Sequence, residues 1–246
     1  MKVLGVILAR AGSAGLSSKH LRRLCGKPVI EYTFDHAAQS KLLTTTIVST
    51  DCPTIKSWAM MRGLPVVDRP ADLATASASV QDSMLHAMDK FESSARSFKA
   101  DALVVLYGNV PVRPDGCIDQ AIDLLAQSNC DSVRSFCPVG KWHPAWMSKL
   151  NGDIVQPLTP GSIHRRQDLE ELFLHDGAVV AVSRQSMLRG RENPGDPHAF
   201  FGVDRRGIRT ESGATIEIDA PRDLYWADAA LRDQQQNPTT LRARVA

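Results

Sequence analysis

Short apolar segments alternate along the first half of the chain with segments whose apolar residues repeat at helical spacing. Buried strands are predicted at Val3–Ala9, Thr45–Thr50 and Ala102–Tyr107, because each is an apolar or β-branched run too short for a helix. The helices predicted along the whole chain are Val29–Gln39, Ile55–Arg62, Ser79–Phe91, Cys117–Ala126 and Pro221–Asp233. Alternating strands and helices with short connections predict a three-layer, doubly wound, mostly parallel α/β sheet.

The alternation stops over about residues 138–176. This stretch is rich in tryptophan, proline and arginine, with short strands predicted at Trp146–Leu150 and Ile154–Pro157, so it is predicted to be a flap inserted between core elements. After it, strands are predicted at Ala178–Ser183 and Ala214–Asp219. We therefore expect a single domain over residues 1–235, followed by a polar tail at 236–246.

Composition removes several classes of function. The net charge of +2 gives no bulk field that would favour nucleic acid or a membrane surface. The five cysteines are an odd number without a Cys-x-x-Cys pair, which disfavours a disulfide framework and a zinc site. Met1 leads directly into a strand, and no apolar run approaches the length that spans a bilayer. A cytoplasmic protein is expected.

The loop after the first strand carries the chemistry that a polyphosphate requires. Gly12, Ser13 and Gly15 are small, so backbone N–H groups there approach phosphate oxygens closely. Arg10 and Lys19 supply cations to the same anion. A basic turn without a ligand is the alternative, and the combination of these residues disfavours it.

This loop differs from the commoner phosphate-binding loops. A Walker loop is excluded because the spacing after Gly12 is wrong and Gly26-Lys27 is followed by Pro28. The dinucleotide fingerprint Gly-x-Gly-x-x-Gly is also missing. In a doubly wound sheet, ligands lie beyond the carboxyl ends of the strands, where Arg10, Asp51 and Asn109 are expected.

Glu217 and Asp219 form a second candidate site. Alternate residues of a strand face the same way, so the two carboxylates are predicted to share one face. They would repel each other unless a cation joined them, and Mg²⁺ is usually held by one or two carboxylates together with substrate phosphates. Asp223 is either a third ligand or, in better agreement with its place, a charge at the start of the next helix.

These motifs resemble the acylneuraminate (CMP-sialic acid synthetase) family of sugar-activating cytidylyltransferases. The family's N-terminal pattern is approximately Pro-Ala-Arg-x-Gly-Ser-Lys-Gly, then Lys-Asn, then Gly-Lys-Pro-Leu-Ile. In this chain Leu8 replaces the proline of that pattern, Ala14 the lysine after Gly-Ser, and His20 the asparagine. The resemblance continues through most of the chain and implies the Rossmann-like fold of nucleotide-diphospho-sugar transferases.

The resemblance implies a CTP site with bound Mg²⁺. Arg10, Lys19 and Asp219 are the expected catalytic residues, and Glu217 and Asp219 the metal ligands. Arg69 belongs to a stretch that resembles the family's Arg-Pro-x-x-Leu-Ala, although an exposed loop arginine is the alternative. The implied nucleotide contacts are Ala9, Arg10, Gly12, Ser13, Gly15, Lys19, Asp51, Arg69 and Ser79.

The sugar pocket departs from the family pattern. Tyr107–Asn109 does not match the family's Gln-Pro-Thr, and Leu174 and Val180 replace an arginine and a tyrosine that recognise the acyl-sugar. The expected substrate contacts are Asn109, Arg113, Arg166, Gln167 and Asp176.

Overall, the resemblance implies that CTP activates a small sugar acid, an α-keto acid sugar such as a sialic acid, with release of pyrophosphate. It also implies a homodimer in which the flap reaches the neighbouring active site, the alternative being a hairpin that covers its own core. A 3-deoxy-D-manno-octulosonate-type enzyme, another nucleotidyltransferase and a degenerate nucleotide-binding module stay open. The chain retains the cations Arg10 and Lys19 and the carboxylates Glu217 and Asp219. Their retention disfavours a degenerate module.

Overall fold

A computed structural model of the chain describes residues 1–12, 15–95, 97–159, 161, 163 and 165–236. The strands are β1 (Val3–Leu8), β2 (Arg23–Leu24), β3 (Lys27–Pro28), β4 (Thr45–Thr50), β5 (Val66–Asp68), β6 (Ala102–Tyr107), β7 (Ser132–Pro138), β8 (Ser148–Asn151), β9 (Ile154–Pro157), β10 (Phe173–Ser183) and β11 (Arg205–Arg209). The α-helices are α1 (Val29–Gln39), α2 (Pro53–Met61), α3 (Val80–Ser94), α4 (Cys117–Ser128), α5 (Arg184–Glu192) and α6 (Pro221–Gln236).

The main sheet has seven strands in the order β11-β7-β10-β6-β1-β4-β5. β1 is parallel to β4 and β6, and β4 is parallel to β5. β10 runs antiparallel between β6 and β7, whereas β11 is parallel to β7. The predicted mostly parallel, doubly wound sheet is confirmed, with β10 reversed inside it.

Helices cover both faces of this sheet. Val104 and Leu106 of β6 pack with apolar side chains of α1, α2 and α4, while Leu103 and Val105 pack with those of α3 and α5. Strands buried on both faces are expected to be continuous apolar runs, as β1 and β6 are. The three-layer architecture is confirmed.

The prediction of a strand at 214–219 is wrong. The structure has a single isolated bridge there, between Ile216 and Val112, and an otherwise irregular segment. Ile218 N donates to Asn109 O at 2.8 Å, so the segment lies against the loop after β6 and beyond the end of the sheet. The notable omissions in the main sheet are β7 and β11, which were not predicted, and the residues of β11 are mostly exposed and polar.

The flap is shorter than predicted, because Pro138 ends β7 and Phe173 begins β10. Between them, β8 and β9 form a separate antiparallel hairpin whose residues are all exposed. Residues 237–246 of the expected tail lie outside the described part of the chain. Within the described residues, no helix combines the length and the apolar character that crossing a bilayer requires.

Candidate functional site

Three loops meet at the carboxyl edge of the sheet because β1, β4 and β6 are parallel neighbours. Ala11 N in the loop after β1 donates to Asp51 Oδ1 after β4 at 2.7 Å. Gly108 N after β6 donates to Leu8 O of β1 at 3.0 Å, and Ala9 N donates to Ser49 O at 3.1 Å. The expected meeting of these loops at one edge is confirmed.

Arg69 braces the end of β4. Its Nε donates to Ser49 Oγ at 3.1 Å and its Nη2 to Ser49 O at 2.9 Å. Burial lowers the pKa of Arg69 to about 10, an effect that Asp51 opposes and Arg10 reinforces, so the guanidinium is a cation at neutral pH. Only 8% of Arg69 is exposed, which excludes the exposed loop arginine of the alternative interpretation.

Glu217 and Asp219 converge on one side-chain amide. Asn109 Nδ2 donates to Glu217 Oε1 at 3.0 Å and to Ile218 O at 3.0 Å, and lies 3.4 Å from Asp219 Oδ1. Burial raises the pKa of Glu217, and the negative charge of Asp219 raises it further. A bound cation would relieve this repulsion between the two carboxylates. The buried Asn109, expected as a substrate contact, is here the residue that holds the pair together.

The loop after β1, which carries Gly12, Gly15 and Lys19, packs directly on residues 214–219, the carboxylate segment. Lys19 Nζ lies 2.7 Å from Asp219 Oδ1. A Cβ on Gly15 would lie 2.4 Å from Asp219 O, so only glycine permits this approach of two main chains. Gly12 is exposed in the same loop, whereas Ser13 lies outside the described residues. The two motifs singled out in the sequence thus form one site.

The donor set of this site fits Mg²⁺. Glu217 and Asp219 offer carboxylate oxygens, which are the hard donors that Mg²⁺ prefers. No group of three or more histidine, cysteine or acidic side chains arranged for a metal occurs in the described part of the chain, so the pair by itself makes up the set of candidate ligands. Such a pair leaves coordination positions for phosphate oxygens. Asp223 Oδ2 accepts hydrogen bonds from Asp219 N at 2.9 Å and Ala220 N at 2.7 Å, so Asp223 caps the start of α6.

Two of the predicted substrate contacts are engaged inside the protein. Arg113 is buried, donates to Ala178 O at 2.6 Å and contacts His36 Nδ1 at 2.8 Å. Asp176 accepts hydrogen bonds from Thr210 and Thr215 at 2.6 and 2.9 Å. Contact with a substrate would require these bonds to break, so both roles stay predictions.

Other predicted residues lie at the edge of the site or outside it. Ser79 caps α3, since its Oγ accepts a hydrogen bond from Asp82 N at 2.9 Å. Arg166 and Gln167 are exposed in a single 3₁₀ turn between the hairpin and β10. Neither has a hydrogen bond or ion pair to Glu217 or Asp219 within the part of the chain that the structure describes. Their predicted role at a substrate stays a prediction.

A contact that the sequence did not indicate joins His20 to Gly108. A Cβ on Gly108 would lie 3.1 Å from His20 Cδ2 and 2.5 Å from Ile30 Cδ1. Burial and then Lys19 lower the pKa of His20 to about 3, so the ring is neutral at physiological pH. The only sequence signal was that both residues depart from the family pattern, and the structure shows that these departures are neighbours.

Comparison with known proteins identifies the family of the chain. Residues 4–237 match the family model described as "Cytidylyltransferase". An N-acylneuraminate cytidylyltransferase of Streptococcus agalactiae is 31% identical over 245 residues, covering 96% of this chain and 56% of that protein. The chain thus spans little more than half the length of that relative. A CMP-N,N'-diacetyllegionaminic acid synthase of Legionella pneumophila is 29% identical over 92% of this chain and 94% of its own length.

The fold has a counterpart among solved structures. A CMP:2-keto-3-deoxy-manno-octonic acid synthetase complexed with CTP superposes with a TM-score of 0.73 at 19% identity, covering 95% of this chain and 100% of that one. This likeness supports the Rossmann-like nucleotidyltransferase fold. The assignment to a family rests on the sequence, because the family model matches nearly the whole chain. The chain belongs to the cytidylyltransferase family.

Proposed function

We propose that the chain transfers CMP from CTP to an α-keto acid sugar, a nonulosonate such as a sialic acid, and releases pyrophosphate. The observation that carries the proposal is the junction of Lys19, Asp219 and Gly15, where a cationic phosphate loop lies on a pair of carboxylates. The relatives named as N-acylneuraminate cytidylyltransferase and CMP-N,N'-diacetyllegionaminic acid synthase support the same reaction.

The chemistry requires positioning and charge neutralisation and needs no covalent intermediate. A sugar hydroxyl attacks the α-phosphorus of CTP, and pyrophosphate leaves. Arg10 and Lys19 stabilise the negative charge that develops on the phosphates. The backbone N–H groups of Gly12 and Gly15 would bind the same oxygens. When bound at Glu217 and Asp219, Mg²⁺ would supply further charge neutralisation and lower the pKa of the attacking hydroxyl.

Lys19 changes partner in this scheme. In the structure it pairs with Asp219, whose side chain is 65% exposed. Because water reaches one partner of the pair, its opening costs less than that of a fully buried ion pair. Lys19 then binds a CTP phosphate, and the Asp219 carboxylate becomes available as a ligand.

The direct test is pyrophosphate release by the purified chain with CTP, Mg²⁺ and a panel of sugar acids. The panel contains N-acetylneuraminic acid, N,N'-diacetyllegionaminic acid and 3-deoxy-D-manno-octulosonate. We expect release with at least one nonulosonate and none with UTP or ATP in place of CTP. CTP binding without release with any sugar would contradict the proposal and favour a nucleotide-binding module, and release with another nucleotide would favour a different nucleotidyltransferase.

We further propose a homodimer formed through the flap. The hairpin exposes large apolar side chains that its own chain does not cover, including Leu150 at 73%, Ile154 at 58% and Val155 at 62%. Exposed apolar patches of this kind mark association sites. Light scattering is expected to give the dimer mass, and the double variant Leu150→Ser, Val155→Ser is expected to be monomeric. Monomeric wild-type protein would contradict this.

We also propose a cytoplasmic location. All five cysteines are free thiols, and Cys52, Cys117 and Cys130 are buried. Free thiols persist in a reducing compartment. Fractionation of cells that express the native gene is expected to place the protein with soluble cytoplasmic markers, and its recovery outside the cytoplasm would contradict the assignment.

A further inference from the structure

The segment that carries Glu217 and Asp219 is not a strand of the sheet. Its main chain is joined to the loop after β6 by the bridge of Ile216 to Val112 and by the bond from Ile218 N to Asn109 O. These bonds fix one side of the segment. The position of Glu217 therefore also depends on what holds the other side.

Asp176 occupies that other side. Its Oδ2 accepts hydrogen bonds from Thr210 Oγ1 at 2.6 Å and Thr215 Oγ1 at 2.9 Å. Its Oδ1 accepts hydrogen bonds from Ser135 Oγ and from Ala178 N, the latter at 3.1 Å. Oδ2 thus binds Thr215 of the carboxylate segment and also Thr210, which follows β11, while Oδ1 binds β7 and β10, so the side chain links the segment to the sheet.

Thr215 and Gly177 connect this link to Glu217. Thr215 Oγ1 donates to Asp176, and Glu217 Oε2 lies beside the next residue, Gly177, so both side chains lie on the side of the segment that faces β10. Gly177 follows Asp176, has a φ of +78°, and a Cβ on it would lie 3.3 Å from Glu217 Oε2. The Glu217 carboxylate therefore rests against the residue after Asp176 while Asp176 holds Thr215.

A carboxylate suits this junction better than an amide. Both oxygens of Asp176 accept, and the groups around them are three hydroxyls and one backbone N–H, all able to donate. An asparagine would turn an NH₂ group towards donors on one side. Burial by itself would raise the pKa of Asp176, but these hydrogen bonds outweigh it and the pKa is lowered, so the residue is ionised at neutral pH.

We propose that Asp176 is a positioning residue for the metal ligands, and that its bonds to the carboxylate segment set the affinity of the site for the divalent cation. The inference rests on the proposed function, because it takes Glu217 and Asp219 to hold that cation together with CTP. Groups that orient metal ligands typically contribute about 10–100-fold to metal affinity. Asp176 therefore acts on the reaction through Glu217 and without touching the sugar.

The test measures Mn²⁺ binding to the full chain by electron paramagnetic resonance, in the presence of CTP and without sugar. Asp176→Asn is expected to weaken Mn²⁺ binding about tenfold. Thr215→Val removes only a hydroxyl on the segment side and is expected to weaken binding in the same direction. Ser132→Ala is the matched control on β7, because the buried Ser132 Oγ donates to Phe201 O at 2.7 Å and not to Asp176; this variant is expected to lower the melting temperature while leaving Mn²⁺ affinity unchanged.

Each outcome is decisive. If Asp176→Asn melts earlier but binds Mn²⁺ as the wild-type protein does, the role of Asp176 is structural only and the proposal is overturned. If that variant does not fold, wild-type affinity in Thr215→Val overturns the proposal equally. Wild-type protein that binds Mn²⁺ with CTP but forms no CMP-sugar contradicts the proposed function and leaves this inference standing. Wild-type protein that binds no Mn²⁺ overturns it.

Discussion

Lys19 Nζ and Asp219 Oδ1 lie 2.7 Å apart and join the loop after the first strand to the segment before the last helix. The lysine is largely covered, whereas the aspartate side chain is 65% exposed. The pair therefore marks the point where a phosphate of CTP and a cation would enter. Because one partner is largely exposed, the pair contributes less to the stability of the fold than a fully buried ion pair would.

Asp219→Asn is expected to abolish turnover while leaving the melting temperature nearly unchanged. The substitution keeps the shape of the side chain but removes the charge that binds Lys19 and the cation. Loss of a group that stabilises transition-state charge costs about 10²–10³-fold in rate. Pyrophosphate release and thermal unfolding, measured on the same preparation, check this.

The matched control is Asp89→Asn, which removes an exposed aspartate paired with Arg191 at 2.6 Å on the outer surface of α3. Activity and melting temperature are both expected to stay at wild-type values. Normal turnover in Asp219→Asn would exclude Asp219 from the metal site.

Gly15→Ala is expected to weaken CTP binding. The new Cβ would lie 2.4 Å from Asp219 O, and a main-chain neighbour cannot give way without moving the loop or the carboxylate segment. Overpacking of this kind costs about 1–3 kcal/mol, so a roughly tenfold increase in the Kd for CTP is expected, measured by calorimetry. Gly195→Ala is the control, because a Cβ there has open space and binding should not change.

Gly108→Ala is expected to destabilise the protein by about 1–3 kcal/mol, because its Cβ would overlap Ile30 Cδ1 in the core. Ile30→Val removes that atom and by itself costs about 0.5–1.5 kcal/mol. The double variant is expected to be more stable than the sum of the single effects predicts. Urea unfolding of the four proteins gives the coupling energy, and strict additivity would show that the two residues do not compete for space.

Asp131→Asn is expected to show a pH-dependent loss of stability. Burial tends to raise the pKa of Asp131, but Arg189, at 2.7 Å, and the N–H groups of Val203 and Asp204 lower it overall. A lowered pKa means that the stabilisation is fully present above the unfolded pKa of about 3.9 and is lost as the pH falls through the folded pKa.

The wild-type protein is therefore expected to exceed this variant by about 1–3 kcal/mol in free energy of unfolding at pH 7, and the difference should shrink below about pH 4. Chemical denaturation at several pH values measures it. The control is Asp153→Asn, in the exposed turn of the hairpin, whose free energy of unfolding is expected to equal that of the wild-type protein at every pH. A gap for Asp131→Asn that stays constant down to pH 3 would contradict the assignment.

Local pattern was a good guide to the buried strands and a poor one to the sheet edge. β1, β4 and β6 were predicted because strands buried on both faces are continuous apolar runs. β11 was missed because an exposed edge strand of charged residues carries no such signal. The segment at 214–219 alternates as a strand does, but it lies beyond the sheet and meets the loop after β6 instead.

The sequence by itself determined the three-layer sheet, the small and basic residues of the loop after β1, and the pairing of Glu217 with Asp219, since each depends on the spacing of neighbouring residues. Only the tertiary structure decided which partners these groups meet. Asn109 reaches the carboxylates from 108 residues away, and Asp176 joins Thr215 of their segment to the sheet. Spacing fixes the side of the chain on which a residue lies, whereas packing of distant elements decides what it touches there.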